Sequence, residues 1–164
     1  MAYFLKFPLV GYTANNNIDY DIATDITKRV ALSDAVKANF SVYDEYDVKD
    51  GETPELVSYK FYDTTEYHWV ILMLNDIIDP RYEWVMPQDV LQRYCDSKYA
   101  NAFGIHHYVD IDTGLIVDDD FPGATSVSNY VYEEEINESR RRIKILKPEY
   151  ITGISTEFDR LING

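Results

Sequence analysis

With 164 residues and a formal net charge of −14, from 15 Lys or Arg against 29 Asp or Glu, the chain is sized for one domain or a small domain with extensions, and its charge argues against nucleic acid as a partner. The single cysteine, Cys95, excludes an intrachain disulfide and a CxxC redox or zinc motif. The opening MAYFLKFPLV is too short and too interrupted by Lys6 and Pro8 to be a signal peptide, and no later run reaches transmembrane length. A soluble chain made in the cytoplasm, with no membrane partner, is expected.

Residues 1 to 20, with Pro8, Gly11 and the Asn15–Asn17 run, read as an arm with turns rather than a packed element, ordering against something else. Thr24 and Asp25 have the form of a cap, and Ile26, Val30, Ala31 and Val36 recur near helical spacing, which predicts a helix to about Ala38. The aromatic and β-branched run 40–48 predicts a strand ending at the Asp50-Gly51 turn. A helix capped by Thr53 and opened by Pro54 follows, with Leu56, Val57 and Phe61 as its buried stripe. Asp63, with Glu66 three residues on, reads as the cap of a second helix burying Trp69, Val70, Leu72 and Met73, stopped by Asn75 and Asp79-Pro80.

Downstream, Pro87 to Tyr99 carries Val90, Leu91 and Tyr94 at helical spacing, and IHHYVDIDTGLIVDDD predicts a hairpin turning at Asp112-Thr113-Gly114. Residues 118–139 read as mostly irregular, with YVYEEE as a short strand. RRIKILK alternates as a strand, and Pro148 opens a last helix with Ile151, Ile154, Phe158 and Leu161 on one face.

Little of this points to catalysis. His68, His106 and His107 lack metal-site spacing, since adjacent strand residues face opposite ways, and Asp110, Asp112 and Gly114 begin a calcium loop whose later ligands are missing. The runs Asp118–Asp120 and Glu133–Glu135 are contiguous and solvated, the opposite of two carboxylates held across a glycosidase cleft. No nucleophile motif or phosphate-cradling loop occurs, so no enzyme, metal or cofactor is expected. Asn39 and Asn137 match N-x-S by chance, without a secretory context. The 15 tyrosines suit surfaces buried in assemblies, and Arg140, Arg141, Arg142, Lys144 and Lys147 form a local basic stretch.

The order of features from Tyr43 to Gln88 resembles a LysM module. Gly51, Thr53 and Leu56 match its turn and first helix, Tyr62-Asp63 its break, Trp69 its core, Asn75 its second stop, and Pro80 and Pro87 the steps beyond. Gly51 permits a tight turn and Asn75 suits a left-handed position. The chain departs from a glycan-binding LysM after Pro87-Gln88, where Asp89–Tyr94 reads as helix and strand character returns only near Ile105. Beyond the module, the stretch from Pro54 to Trp84 and the late NESRRRIKIL segment resemble the baseplate wedge protein of T4-like contractile-tail phages over roughly residues 20 to 160.

That resemblance implies a virion protein of the tail baseplate, assembled in the host cytoplasm, which binds other wedge and hub proteins and helps join wedges around the tail hub. The implied fold class is α+β: a small LysM-like βααβ core with an N-terminal arm and helix and C-terminal hairpin, strand and helix extensions. The expected segments are 1–40, 41–95 for the core and 96–164. Partner contact falls to Arg140, Arg141, Arg142 and Lys144, and to Tyr3, Phe4, Phe7, Tyr12 and Tyr20 in the arm. The alternative is a peptidoglycan-binding LysM module.

Overall fold

A computed structural model describes residues 3–13, 20–33, 37, 39 and 41–164, and the chain is α+β. Two compact units interleave along it: the described residues of Met1–Tyr46 with Glu52–Ile78 and Lys144–Gly164, and Asp47–Gly51 with Asp79–Ile143.

In the first unit a 3-10 turn at Tyr3–Lys6 leads into β1 (Leu9–Tyr12), which pairs antiparallel with β2 (Asp21–Thr24) in register Leu9 with Thr24 and Tyr12 with Asp21. Residues 3–7 are therefore packed on the chain's own core rather than part of an unpacked arm. Tyr3 packs its ring 5.5 Å from Trp69, Phe7 is buried, and Lys6 donates to Ser155 Oγ at 2.8 Å and Asp159 Oδ1 at 2.9 Å. The helix expected from Thr24 is absent over 25–33. Asp25 instead closes a tight turn, accepting from Thr27 N–H at 3.1 Å and Thr27 Oγ1 at 2.6 Å, a local bond that competes with helix. The rest of that expectation, at 34–36 and 38, lies outside the described residues.

Strand β3 (Tyr43–Asp47) is followed by α1 (Pro54–Tyr62), where Thr53 Oγ1 accepts from Leu56 N–H at 3.3 Å. Leu56 is exposed, and Pro54, Val57 and Ser58 are the buried positions. Asp63 ends α1 in the left-handed region at φ +56°, and the cap of the next turn is Thr64, which accepts from Glu66 N–H. A 3-10 turn, Thr65–Tyr67, runs into α2 (His68–Leu74). The left-handed residue after α2 is Asp76 at φ +58°, not Asn75. That position frees the Asn75 side chain for another task. Its amide donates to Lys144 C=O at 2.8 Å, and its oxygen accepts from Lys144 N–H at 2.7 Å.

Lys144 belongs to β7 (Arg142–Leu146), the hydrogen-bonded neighbour of β3. The order β3, α1, α2, β7 is thus a βααβ arrangement whose closing strand lies outside 41–95, with 75–141 between its second helix and that strand. The last helix, Pro148–Asn163, closes the core through Ile151, Phe158 and Ile162. Ile162 occupies the buried position expected for Leu161. Phe7, Tyr43, Trp69, Leu74, Leu146 and Phe158 are among the buried residues of one apolar cluster.

The second unit holds α3 (Pro80–Glu83), α4 (Gln88–Lys98), β4 (Ile105–Asp110), β5 (Ile116–Val117), β6 (Ala124–Ser128) and α5 (Asn129–Ser139). Its sheet has the order β5-β4-β6, and the expected hairpin turn is present: Gly114, at φ +69°, donates to Asp110 C=O at 2.8 Å. Residues 124–139 are not irregular. They form β6 and α5, and the YVYEEE run is helical because Ser128 Oγ accepts from Val131 N–H at 3.2 Å. Leu91, Cys95 and Ala102 form a small buried cluster with Met86, Tyr94 and Tyr130 against it.

Candidate interaction surfaces

The basic stretch serves the fold first. In the second unit Arg140 donates to Tyr82 C=O at 2.6 Å, Arg141 to Val48 C=O at 2.7 Å and to the Glu138 carboxylate, and Arg142 forks onto Asp47 at 3.0 and 3.3 Å. The hydrogen bond that Arg142 donates holds the Asp47 carboxyl below its ordinary value, and the one that Arg141 donates to Glu138 raises Arg141. In the first unit Lys144 donates to Lys37 C=O at 3.3 Å and lies 4.7 Å from the Tyr43 ring, and Lys147 donates to Ser41 C=O at 2.9 Å. These contacts pin strands and loops. The Arg142–Asp47 pair sits in solvent, where such a bridge adds little stability.

The aromatic residues of the N-terminus divide. Phe7 is enclosed, half-buried Tyr3 lies against Trp69 and Phe158, and Phe4, Tyr12 and Tyr20 are exposed. Phe7 therefore has no surface to offer a partner. Of the LysM-like positions, Gly51 takes φ +77° as a turn glycine, Pro80 starts α3 behind the Asp79 cap, and Pro87 precedes α4. Tyr62 donates to Leu146 C=O at 2.8 Å, and burial pushes its phenol far above the ordinary range. Trp69, 5% exposed, lies with its ring 4.5 Å from Phe158.

Two recesses could take a small ligand by size. One of about 540 Å³ in the first unit is mainly apolar, lined by Phe4, Ile26, Val30, Trp69 and Met73, with Lys28 and Arg29 also on its walls. The other, about 100 Å³ in the second unit, includes Tyr82, Met86, Glu133 and Asn137. Glu133 is buried rather than solvated as its acidic run suggests, accepting from Lys98 Nζ at 2.7 Å and Tyr99 Oη at 2.6 Å. Burial pushes its carboxyl up, but those two donors outweigh burial and hold it below the ordinary 4.5; the same bond raises Lys98.

Because the folded value is lowered, this contribution to stability is complete above pH 4.5 and lost as pH falls through the folded value. Glu133→Gln is expected to lower stability at neutral pH by about 1–3 kcal/mol and to flatten the acid limb of the stability curve. Urea unfolding of both proteins between pH 7 and pH 3 checks this, and parallel acid limbs would contradict it.

His106 and His107 do not face opposite ways. A bulge between Ile105 and His107 lets their Nδ1 atoms approach to 2.8 Å, and the His106 ring stacks on Tyr132 at 4.0 Å. No group of three His, Cys, Asp or Glu side chains with metal-site geometry occurs among the described residues. Cys95 is buried, and burial raises its thiol above the ordinary value. Among the described residues no helix is long and apolar enough to cross a membrane.

Sequence reasoning missed Asn137. From α5 its side chain accepts from Met86 N–H at 2.7 Å and donates to Met86 C=O at 2.9 Å, as Asn75 does for Lys144 in the first unit. No local pattern announces such a clamp, since its partner lies 51 residues away.

These features define an α+β protein in which the basic stretch, Glu133 and Asn137 are engaged within the fold and large apolar side chains stand exposed in both units. A family model described as Base plate wedge protein 53 matches residues 1–122, and the chain belongs to that family. The chain is also 29% identical over 105 residues to the baseplate wedge protein gp53 of Enterobacteria phage T4, covering 63% of this chain and 53% of that protein. It thus spans about half the length of that curated relative. The family read from the sequence is the family found.

Proposed function

We propose that the chain is a non-catalytic structural component of a phage tail baseplate wedge, binding neighbouring wedge proteins and helping to join wedges around the tail hub. Family membership over residues 1–122 carries the reading and places the protein in the virion, at the tail baseplate. A structural role is supported by the large apolar side chains that stand exposed in both units. The first unit is read as LysM-like, with β7 as its closing strand, and this reading is supported by the pairing of β3 with β7 and by the Asn75 clamp. Phe4, Tyr12, Tyr20 and Arg142 keep the exposure that partner contact needs.

Mass spectrometry of purified virions separated into tails and baseplates tests this. The chain is expected in the baseplate fraction at fixed low stoichiometry with the wedge proteins. Its absence from particles containing the other wedge proteins would remove the proposal and bring forward peptidoglycan binding, read out by retention on purified cell wall.

A further inference from the structure

The β4–β5 hairpin of the second unit carries apolar side chains that nothing in its own sheet covers. Ile111, Leu115 and Ile116 are 71%, 68% and 75% exposed, and Phe121 just beyond is 44% exposed. Scattered exposed aliphatics are ordinary on protein surfaces, but four within eleven residues of one hairpin and its exit are not. Strand β5 is also an edge: the order β5-β4-β6 leaves its outer side without a strand among the described residues.

Charge identifies what fits there. Asp112 and Asp118–Asp120 are exposed around the apolar residues, and the carboxylates of Asp118, Asp119 and Asp120 have no hydrogen-bond or ion-pair partner among the described residues. No Lys or Arg occurs between Lys98 and Arg140. Charge at an edge is a common guard against aggregation, which accounts for the aspartates but not for Ile111, Leu115, Ile116 and Phe121 standing among them.

Resting on the baseplate reading, we propose that the open edge of β5 is a docking site for a neighbouring wedge protein, which adds an extended segment carrying aliphatic side chains flanked by Lys or Arg. Added backbone hydrogen bonds give such a contact its affinity, the apolar side chains its register and the aspartates its choice of a basic partner. A second copy of this chain fits poorly, because its own basic stretch from Arg140 to Lys147 is engaged with its own backbone and acids. An anionic membrane or a nucleic acid is repelled by the same carboxylates.

The test uses the full chain and purified wedge proteins of the same baseplate, with binding measured by sedimentation at low and high salt. Leu115→Ser with Ile116→Ser is expected to weaken association at least 10-fold. Asp118→Asn, Asp119→Asn and Asp120→Asn together are expected to weaken it several-fold at low salt, with the difference from the wild type shrinking at high salt. Thermal unfolding checks that the serine variant is folded; if it is not, the asparagine variant, altered only at exposed side chains, decides. Undiminished binding by the folded variants at both salt concentrations overturns the hairpin as the docking site while leaving the baseplate role intact. A wild-type chain missing from baseplates overturns both.

Discussion

Trp69→Ala is expected to destabilise the first unit by about 3–5 kcal/mol, the cost of deleting a large aromatic side chain from a core that cannot collapse around the gap. Trp69 lies against Tyr3 at 5.5 Å and Phe158 at 4.5 Å, and Lys6 reaches within 5.5 Å of its ring, so its removal loosens the N-terminal turn and the last helix together. A stability of 5–15 kcal/mol is usual for a domain, so the loss is a large share of what a small unit has. The chain offers a clean readout, because its two tryptophans are divided between the units: Trp69 in the first, Trp84 in the second. In Trp69→Ala the remaining tryptophan fluorescence follows the second unit alone, while far-ultraviolet circular dichroism follows both. An early dichroism transition that tryptophan fluorescence does not share is the expected result; a single unshifted transition would contradict it.

The second large effect is expected at Asn137. Alanine there leaves both Met86 N–H and Met86 C=O without the partners that now lie at 2.7 and 2.9 Å, and a buried backbone group stripped of its partner costs about 1–3 kcal/mol. With two groups affected, about 2–4 kcal/mol is expected, somewhat less if water reaches them. Asn137→Asp keeps the acceptor but loses the donor and adds a charge at a position 3% exposed, so at neutral pH it is expected to be no milder than alanine. Urea unfolding followed by tryptophan fluorescence, to which Trp84, two residues from Met86, contributes beside Trp69, reads the change. An alanine variant within about 0.5 kcal/mol of the wild type, the range of an ordinary surface substitution, would show that the clamp is ornamental.

Much of the fold was legible because its signals are local. Thr53-Pro54 marks α1, Asp50-Gly51 the turn before it, Gly114 the hairpin turn and Pro148 the last helix, each through a capping bond or a backbone angle set within a few residues. Failures occurred where one local signal had two meanings. Thr24 and Asp25 read as a helix cap, yet Asp25 closes a turn with Thr27. Tyr130-Val131-Tyr132 has strand composition, yet the cap at Ser128 makes it helical.

The interaction surfaces were less legible than the fold. Counting Arg140, Arg141, Arg142 and Lys144 locates positive charge but not whether it is already paired, which depends on Asp47, Val48 and Tyr82, far away in sequence. The sequence predicts the hairpin turn, but the exposure of Ile111, Leu115 and Ile116 depends on what the rest of the chain packs against it. Composition alone has no access to that.

The pairing of β3 with β7 also constrains the order of events in synthesis. Nearly a hundred residues separate the two strands, and the helix that seals the first unit's core comes later still, so this unit has the long-range contacts that slow folding. As the chain leaves the ribosome, β3, α1 and α2 emerge early with Trp69 and Leu74 unprotected, and wait for the whole second unit to be made before their partners arrive. The later-emerging unit can finish first, and the first to be translated is the last to close.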